Sequence, residues 1–171
     1  IDVSLVGSEM CIRDRLIIHY YNLELLKKDA EYDKNFLKLY KKFSPGPLTY
    51  ILKKKKKSKV SKFANAKLKT IAVRFPKNKI IRSLLKKLTF PLAIPSANIS
   101  TGVSPTEPLD VVDEFKNKIK FILNGGKSLI GLESTVINLS GKPAILRPGS
   151  ISHTQIEKVL RKKVTNVTKS K

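Results

Sequence analysis

The sequence predicts an α/β domain of α+β type built on a mixed sheet, and three observations carry that reading. Short apolar, β-prone runs alternate with segments of helical period along most of the chain, the pattern of strands interleaved with helices. Residues 135–139 and 144–146 are separated only by Ser140-Gly141-Lys142-Pro143, so two strands fold back on each other as a hairpin. Turn signals punctuate the runs, at Ser44-Pro45-Gly46-Pro47, Pro95, Asn124-Gly125-Gly126 and Pro148-Gly149. No segment repeats another.

Taken in order, Leu16-Ile17-Ile18 reads as a short buried strand ending at His19. Residues 22–43 are helical in pattern, as two helices broken near 30–33. In the second, Phe36, Tyr40 and Phe43 share one face at i, i+4 and i+7. Two prolines and a glycine at 45–47 stop it. A strand resumes over 49–52, and like-charge repulsion should keep the lysine-rich loop at 53–59 extended. Residues 70–74 form a β-branched and apolar strand. Asn78 caps a helix whose Ile81, Leu84, Leu85 and Leu88 mark its buried face. The strand at 90–94 ends at Pro95. Ser104 or Thr106 caps a helix through Val111, Val112 and Phe115. Phe121-Ile122-Leu123 reads as a strand closed by Asn124-Gly125-Gly126. Ser152 with Gln155 forms a capping box for a last helix carrying Ile156, Val159 and Leu160, and a basic, frayed tail follows from Arg161.

With 171 residues and 41% hydrophobic content, the chain can form one domain with a real core. Thirty-five Lys and Arg against 13 Asp and Glu give a net charge of +22, a field that attracts RNA, DNA or phosphorylated ligands. Much of the excess is lysine, including Lys53 to Lys57 in one run, which reads either as a solvated loop or as a nucleic-acid contact. No apolar run approaches the roughly 20 residues that cross a bilayer, and no secretory pattern is present. With one cysteine and no Cys/His cluster of zinc spacing, a cytoplasmic protein without membrane attachment is expected.

Residues 1–15 stand apart. They hold the only Cys (Cys11) and the only Met (Met10), and the string VSLVGSEMCIRDR at 3–15 resembles translated sequencing-adapter read-through. The expected organisation is a non-native leader at 1–15, a domain at 16–160 and a basic tail at 161–171; the family resemblance given below implies that the domain lacks an N-terminal strand and helix.

The chemistry-bearing strings are Pro95-Ser96-Ala97-Asn98, Gly131-Leu132-Glu133-Ser134-Thr135-Val136 and Ile145-Leu146-Arg147-Pro148-Gly149. Each joins a β-prone run to hydroxyl, amide or guanidinium groups, and ligand sites of open α/β folds are built at such strand ends. Ser96 and Asn98 suit hydroxyls, ring nitrogens or phosphate oxygens, or else a turn role. Arg74 and Arg147 are each either solvated surface groups or grips for a carboxylate or phosphate. Glu133 could be a helix cap, a surface charge or a partner to a nearby cation. No Gly-x-Ser-x-Gly elbow, Walker pattern or Gly-x-Gly-x-x-Gly helix opening occurs.

In this order, with Ser44-Pro45-Gly46-Pro47-Leu48-Thr49 and Thr70-Ile71-Ala72-Val73-Arg74-Phe75-Pro76 upstream, the strings resemble the YrdC-like family of threonylcarbamoyl-adenylate synthases, from about Leu16 to about Leu160. The resemblance implies a twisted mixed sheet with helices around a basic concave cavity. It also implies a nucleotidyltransferase that condenses L-threonine, bicarbonate and ATP into L-threonylcarbamoyladenylate and pyrophosphate, for threonylcarbamoyladenosine (t6A) formation on tRNA. By resemblance, Thr70, Ser96, Asn98, Ser104 and Arg147 hold ATP, and His19, Arg74, Ile94 and Ser134 hold L-threonine. Mg²⁺ would bridge phosphates rather than occupy a protein cage. The family's glycine after Ser-x-Asn falls one place later here, at Gly102. Further expected partners are a downstream threonylcarbamoyl transferase complex and tRNA or double-stranded RNA. The rival readings are a non-catalytic RNA-binding module and a piece of a larger carbamoyl-transfer protein.

Overall fold

The computed structural model describes residues 15–95, 97, 105–128 and 132–167. Within them the chain runs β1 (Ile17–His19), α1 (Leu23–Asp29), β2 (Ala30–Glu31), α2 (Lys34–Phe43), β3 (Leu48–Lys54), β4 (Thr70–Arg74) and α3 (Lys79–Lys87). It continues through β5 (Leu92–Ile94), α4 (Pro108–Phe115), a 3₁₀ turn (Lys116–Lys118), β6 (Thr135–Asn138), β7 (Ala144–Arg147), α5 (His153–Leu160) and β8 (Thr165–Asn166). The break inside 22–43 is a cap change. Asn22 accepts from the Leu25 N–H, Asp33 accepts from Asn35 and Phe36, and the two residues of β2 lie between. Asn78 caps α3, and Ser152 with Gln155 caps α5, as their spacing predicts.

The strands form one mixed sheet in the order β5-β1-β4-β3-β6-β7-β8, with β2 beside β3. β1 is parallel to β4 and β3 to β6, whereas β3 and β4 are antiparallel. Register divides the residues between two faces. Ile18, Tyr50, Leu52, Ile71, Val73, Ile137 and Ile145 point into the principal core, where Tyr20, Phe36, Leu39, Phe75, Ile156 and Leu160 join them. Phe36 lies edge-on to Tyr50 and Phe75 edge-on to Tyr40, with ring centroids 5.0 and 4.8 Å apart, a geometry that adds to simple burial. Helix α2 packs beside α5 across this core.

Four local outcomes differ from the sequence expectation. β5 starts at Leu92, two residues late, because Pro91 has no N–H to give the ladder. The 121–123 run finds no ladder partner among the described residues, and Phe121 is 90% exposed. Its closing turn does form, with Gly126 at φ +75° and its N–H on Asn124 Oδ1. At α4 the N-terminal N–H groups of Thr106 and Glu107 are both satisfied by the Asp110 carboxylate, and Glu107 occupies the cap position. The tail past Arg161 is not frayed at its start. Val164 is buried, its N–H is held by Glu157, and Thr165–Asn166 pair with β7.

Gly149 has no room for a side chain, since a Cβ there would drive into the carbonyl oxygen of Glu133 and the Thr135 nitrogen. These are backbone atoms and cannot swing aside. Gly149→Ala is expected to cost about 2 kcal/mol or more, read as a lower urea midpoint at unchanged m-value.

Candidate functional site

The sheet face opposite the principal core carries the sequence-predicted site residues in three rows. Residues directly across a ladder share a face, and along one strand every second residue does. His19 pairs with Arg74, Arg74 with Thr49, Thr49 with Val136, and Val136 with Arg147, which together make the first row. One step down, Ile94, Ile17, Ala72, Ile51 and Asn138 form a mostly apolar second row. Thr70 lies opposite Lys53 in a third. The first and third rows are about 13 Å apart by strand rise. Period and pairing thus bring His19, Arg74, Ile94, Thr70 and Arg147 onto one face, and Ser134 joins the first row just before β6 begins. Ser96, Asn98 and Ser104 lie outside the described residues. Arg15, placed by the sequence reading in the leader, donates to Thr70 Oγ1 at 2.5 Å.

Hydrogen bonds tie the first row together. Arg147 donates through Nε and Nη2 to the Ser134 carbonyl at 3.2 and 3.0 Å, through Nη2 to Ser134 Oγ at 3.1 Å, and through Nη1 to Glu133 Oε2 at 2.5 Å. Of the three roles open to Glu133, the structure selects the partner to a cation. Thr49 Oγ1 lies 2.8 Å from Ser134 Oγ, both hydroxyls being buried. Sequence reasoning missed Thr49, which was read only as the start of a strand. Its position directly across from Arg74 was the signal, and pairing is invisible in one strand alone.

Ser134 Oγ is the single side-chain partner of Thr49 among the described residues, and either hydroxyl can be the donor. Arg147 fills one acceptor position on Ser134. One hydroxyl proton of the pair is therefore left for a ligand, carried by whichever hydroxyl accepts.

Arg74 is the unbalanced charge. Its Nε reaches the Gly46 carbonyl at 3.4 Å, and no carboxylate pairs with it among the described residues. Burial, with the nearby charge of Arg147, pushes its pKa below the usual arginine value. His19 faces the same charge. Burial first and Arg74 second lower its pKa to about 4, so the imidazole is neutral at pH 7. Nδ1 lies 3.1 Å from the Ile17 carbonyl, which assigns the proton to Nδ1 and leaves Nε2 as an acceptor. The first row therefore offers two guanidiniums and a hydroxyl donor to an anion, with one neutral acceptor beside them. The other histidine, His153 in the first turn of α5, contacts the Val164 carbonyl through Nε2 at 2.6 Å.

These features define an α/β protein whose sheet face gathers guanidinium, imidazole and hydroxyl groups. The chain belongs to the Sua5/YciO/YrdC family, whose profile, described as "Telomere recombination", matches residues 11–149. It is 42% identical over 149 residues to a threonylcarbamoyl-AMP synthase of Pyrococcus abyssi, covering 85% of this chain and 43% of that protein. It is 44% identical over 127 residues to the threonylcarbamoyl-AMP synthase of Schizosaccharomyces pombe, covering 72% of this chain and 31% of that one. The crystal structure of P. abyssi Sua5 complexed with L-threonine superposes with a TM-score of 0.83 at 39% identity, over 90% of this chain and 45% of that chain. The chain thus spans less than half the length of these relatives.

The shift at His19 predicts a pH dependence. The unfolded imidazole takes its proton near pH 6.5 and the folded one only near 4. The stabilisation is complete above pH 6.5 and declines as pH falls toward 4. From pH 7 to pH 5 the wild type should lose about 2 kcal/mol more than His19→Asn, measured by urea denaturation at both pH values.

Proposed function

We propose that this chain performs L-threonylcarbamoyladenylate synthesis, joining L-threonine, bicarbonate and ATP with release of pyrophosphate. The observation that carries this reading is the half-buried guanidinium of Arg74, which has no carboxylate partner among the described residues and lies beside a neutral imidazole and the Ser134–Arg147 pair. A desolvated cation lacking its anion favours a ligand carboxylate, and an amino acid supplies one. The names of the relatives and the threonine complex of P. abyssi Sua5 support the same choice.

In this mechanism Arg74 grips the threonine carboxylate, and the Thr49–Ser134 pair donates its remaining proton to a ligand oxygen. His19 Nε2 accepts from the amino or hydroxyl group of threonine, a bond that a protonated imidazole could not make. The threonine nitrogen adds to the bicarbonate carbon and water leaves, giving a carbamate. A carbamate oxygen then attacks the α-phosphorus of ATP, the bond to pyrophosphate breaks, and the adenylate forms. Arg147 stabilises the charge on the transferring phosphorus. That role requires it to exchange Glu133 for phosphate. ATP spans toward Thr70 over the apolar second row, with Ile94 between the two ends. No step needs a protein nucleophile; positioning and fixed charge supply the catalysis.

The described residues do not build a magnesium cage. No three His, Cys, Asp or Glu side chains cluster among them, and Glu133 is engaged by Arg147. Mg²⁺ would enter with ATP and would supply charge neutralisation at its phosphates. The product would be consumed by a transferase complex that modifies tRNA, a cytoplasmic reaction. No described helix is long and apolar enough to cross a membrane.

The test is pyrophosphate release by the full chain with each substrate omitted in turn, beside calorimetric titration of L-threonine. Release is expected only with all three substrates. Arg147→Ala should slow it about 100-fold or more, beyond the roughly tenfold loss of threonine affinity expected from emptying the acceptor position it fills on Ser134. Arg74→Ala should abolish threonine binding. Full pyrophosphate release by Arg147→Ala, or undiminished threonine binding by Arg74→Ala, would remove the corresponding assignment.

Thr49 gives a separate prediction. Thr49→Val takes one hydroxyl from the Thr49–Ser134 pair and lets the other turn, so threonine affinity should fall about tenfold, equivalent to one hydrogen bond. Thr49→Ser keeps the hydroxyl and should bind threonine within about twofold of wild type, measured in the same titration.

A further inference from the structure

We propose that the connection between β3 and β4, residues 55–69, is a docking surface for RNA that carries unpaired bases. It is distinct from the first row of the sheet face. The stretch 53–69 contains nine lysines and no aspartate or glutamate. Seven of the nine are exposed, Lys56, Lys57, Lys59 and Lys62 among them. In their midst the ring of Phe63 is 85% exposed.

This connection is a held shape rather than a loose run of charge. Asp29, at the end of α1, lies beneath it and is buried. Its carboxylate accepts from Tyr20 Oη at 2.9 Å, Ser58 Oγ at 2.7 Å and the Lys59 N–H at 3.2 Å. The acid nearest the crest is thus spent inside, and Glu31 faces Lys53 only at the root. Ala64 and Asn65 are buried, and the Ala64 carbonyl accepts from the Leu16 N–H at 2.8 Å. Val60 packs on the core, and its carbonyl accepts from Lys54 Nζ. Ala66 and Lys67 stand at φ +50° and +57°, a left-handed pair of non-glycine residues that costs about 1–2 kcal/mol each and persists only where the surroundings dictate it. Small residues and backbone face inward, while lysines, the Phe63 ring and Leu68 face outward.

That outward chemistry selects the partner. Lysine ammonium groups neutralise phosphates without reading bases. A flat, exposed aromatic ring is a stacking platform for a base that is not already paired. A lipid surface is instead met by an amphipathic helix with a broad apolar face, and residues 55–69 contain no helix. The surface lies beyond the Thr70 end of β4, about 13 Å from Arg74 along the strand. The proposal therefore stands independently of the reaction argued above.

The test is fluorescence anisotropy of the full chain with three probes: an RNA stem-loop with an unpaired loop, a fully paired RNA duplex, and phosphatidylserine-containing vesicles. The variant K56Q/K57Q/K59Q/K62Q should bind the stem-loop at least tenfold more weakly and lower the slope of log K against log salt by about 3. An equal charge change on the exposed face of α2, K34Q/K38Q/K41Q/K42Q, should weaken it less than threefold. Phe63→Ala should weaken the stem-loop about fivefold or more and leave the duplex unchanged. Equal loss in the α2 variant would mean diffuse attraction and overturn the surface. Phe63→Ala without effect would overturn the unpaired-base partner. Tighter binding to vesicles than to stem-loop at the same salt would overturn RNA altogether.

Discussion

A one-residue slip between β3 and β4 would undo both the core and the site. In the observed register Tyr50 pairs with Val73 toward the core, and Thr49 pairs with Arg74 on the opposite face. Shifted by one, the ladder would either turn the Arg74 guanidinium toward the core or move Tyr50 to the opposite face, because side chains alternate with a period of two. The aromatic contacts around Tyr50 and Phe75 therefore specify the candidate site as well as stability. The Gly46 N–H to the Phe75 carbonyl at 2.8 Å reinforces the alignment beyond the ladder, and the Tyr20 N–H to the Arg74 carbonyl at 3.0 Å ties β1 to β4 at the same level. With this register held, His19 and Val136 take their places in the first row through their own ladders.

The electrostatics of that row run against stability. Arg74 is desolvated, lies near a second guanidinium and has no described carboxylate, an arrangement a purely structural site avoids. Glu133 compensates only Arg147, and that ion pair is partly exposed, so water screens it. Arg74 has no acid of this kind among the described residues. The two cations are thus unequal, one held by a solvent-screened acid and one without a described counter-charge. Perturbed groups gather where function is located, and His19 fits the same logic, since Arg74 and burial together keep its imidazole neutral.

Much of this was legible in the sequence because strands write their faces in alternation. In Thr70-Ile71-Ala72-Val73-Arg74 the principal-core residues are the second and fourth, and the first, third and fifth lie on the opposite face. Caps at Asn78 and Ser152 were equally plain, since one side chain decides each. Pairing was not legible. Thr49 became a site residue only through its neighbours Arg74 and Ser134, 25 and 85 positions away. Phe121-Ile122-Leu123 has strand composition, yet a strand exists only where a ladder partner is present. The tail failed in the opposite sense, for Val164-Thr165-Asn166 has no periodicity but meets the open edge of β7. The lysine run was read as an extended loop, though Lys53 and Lys54 belong to β3 and the remainder folds over Asp29.

Asp29 shows how one buried carboxylate can shape a surface of opposite sign. A carboxylate out of water must be fully hydrogen-bonded, and here Tyr20, Ser58 and the Lys59 backbone meet that demand. Ser58 and Lys59 come from the connection, so the need to solvate one acid folds a chain segment that lysine repulsion would otherwise extend. The cost of the bond to Tyr20 falls on the phenol, whose pKa is raised by burial and by the adjacent acid. The same β3–β4 ladder thus leads at one end into a row of arginine, histidine and hydroxyl groups, and at the other into a lysine crest. The first concentrates charge in a desolvated place, where one small anion can compensate it. The second spreads charge over solvent, where only a long polyanion can meet many lysines at once.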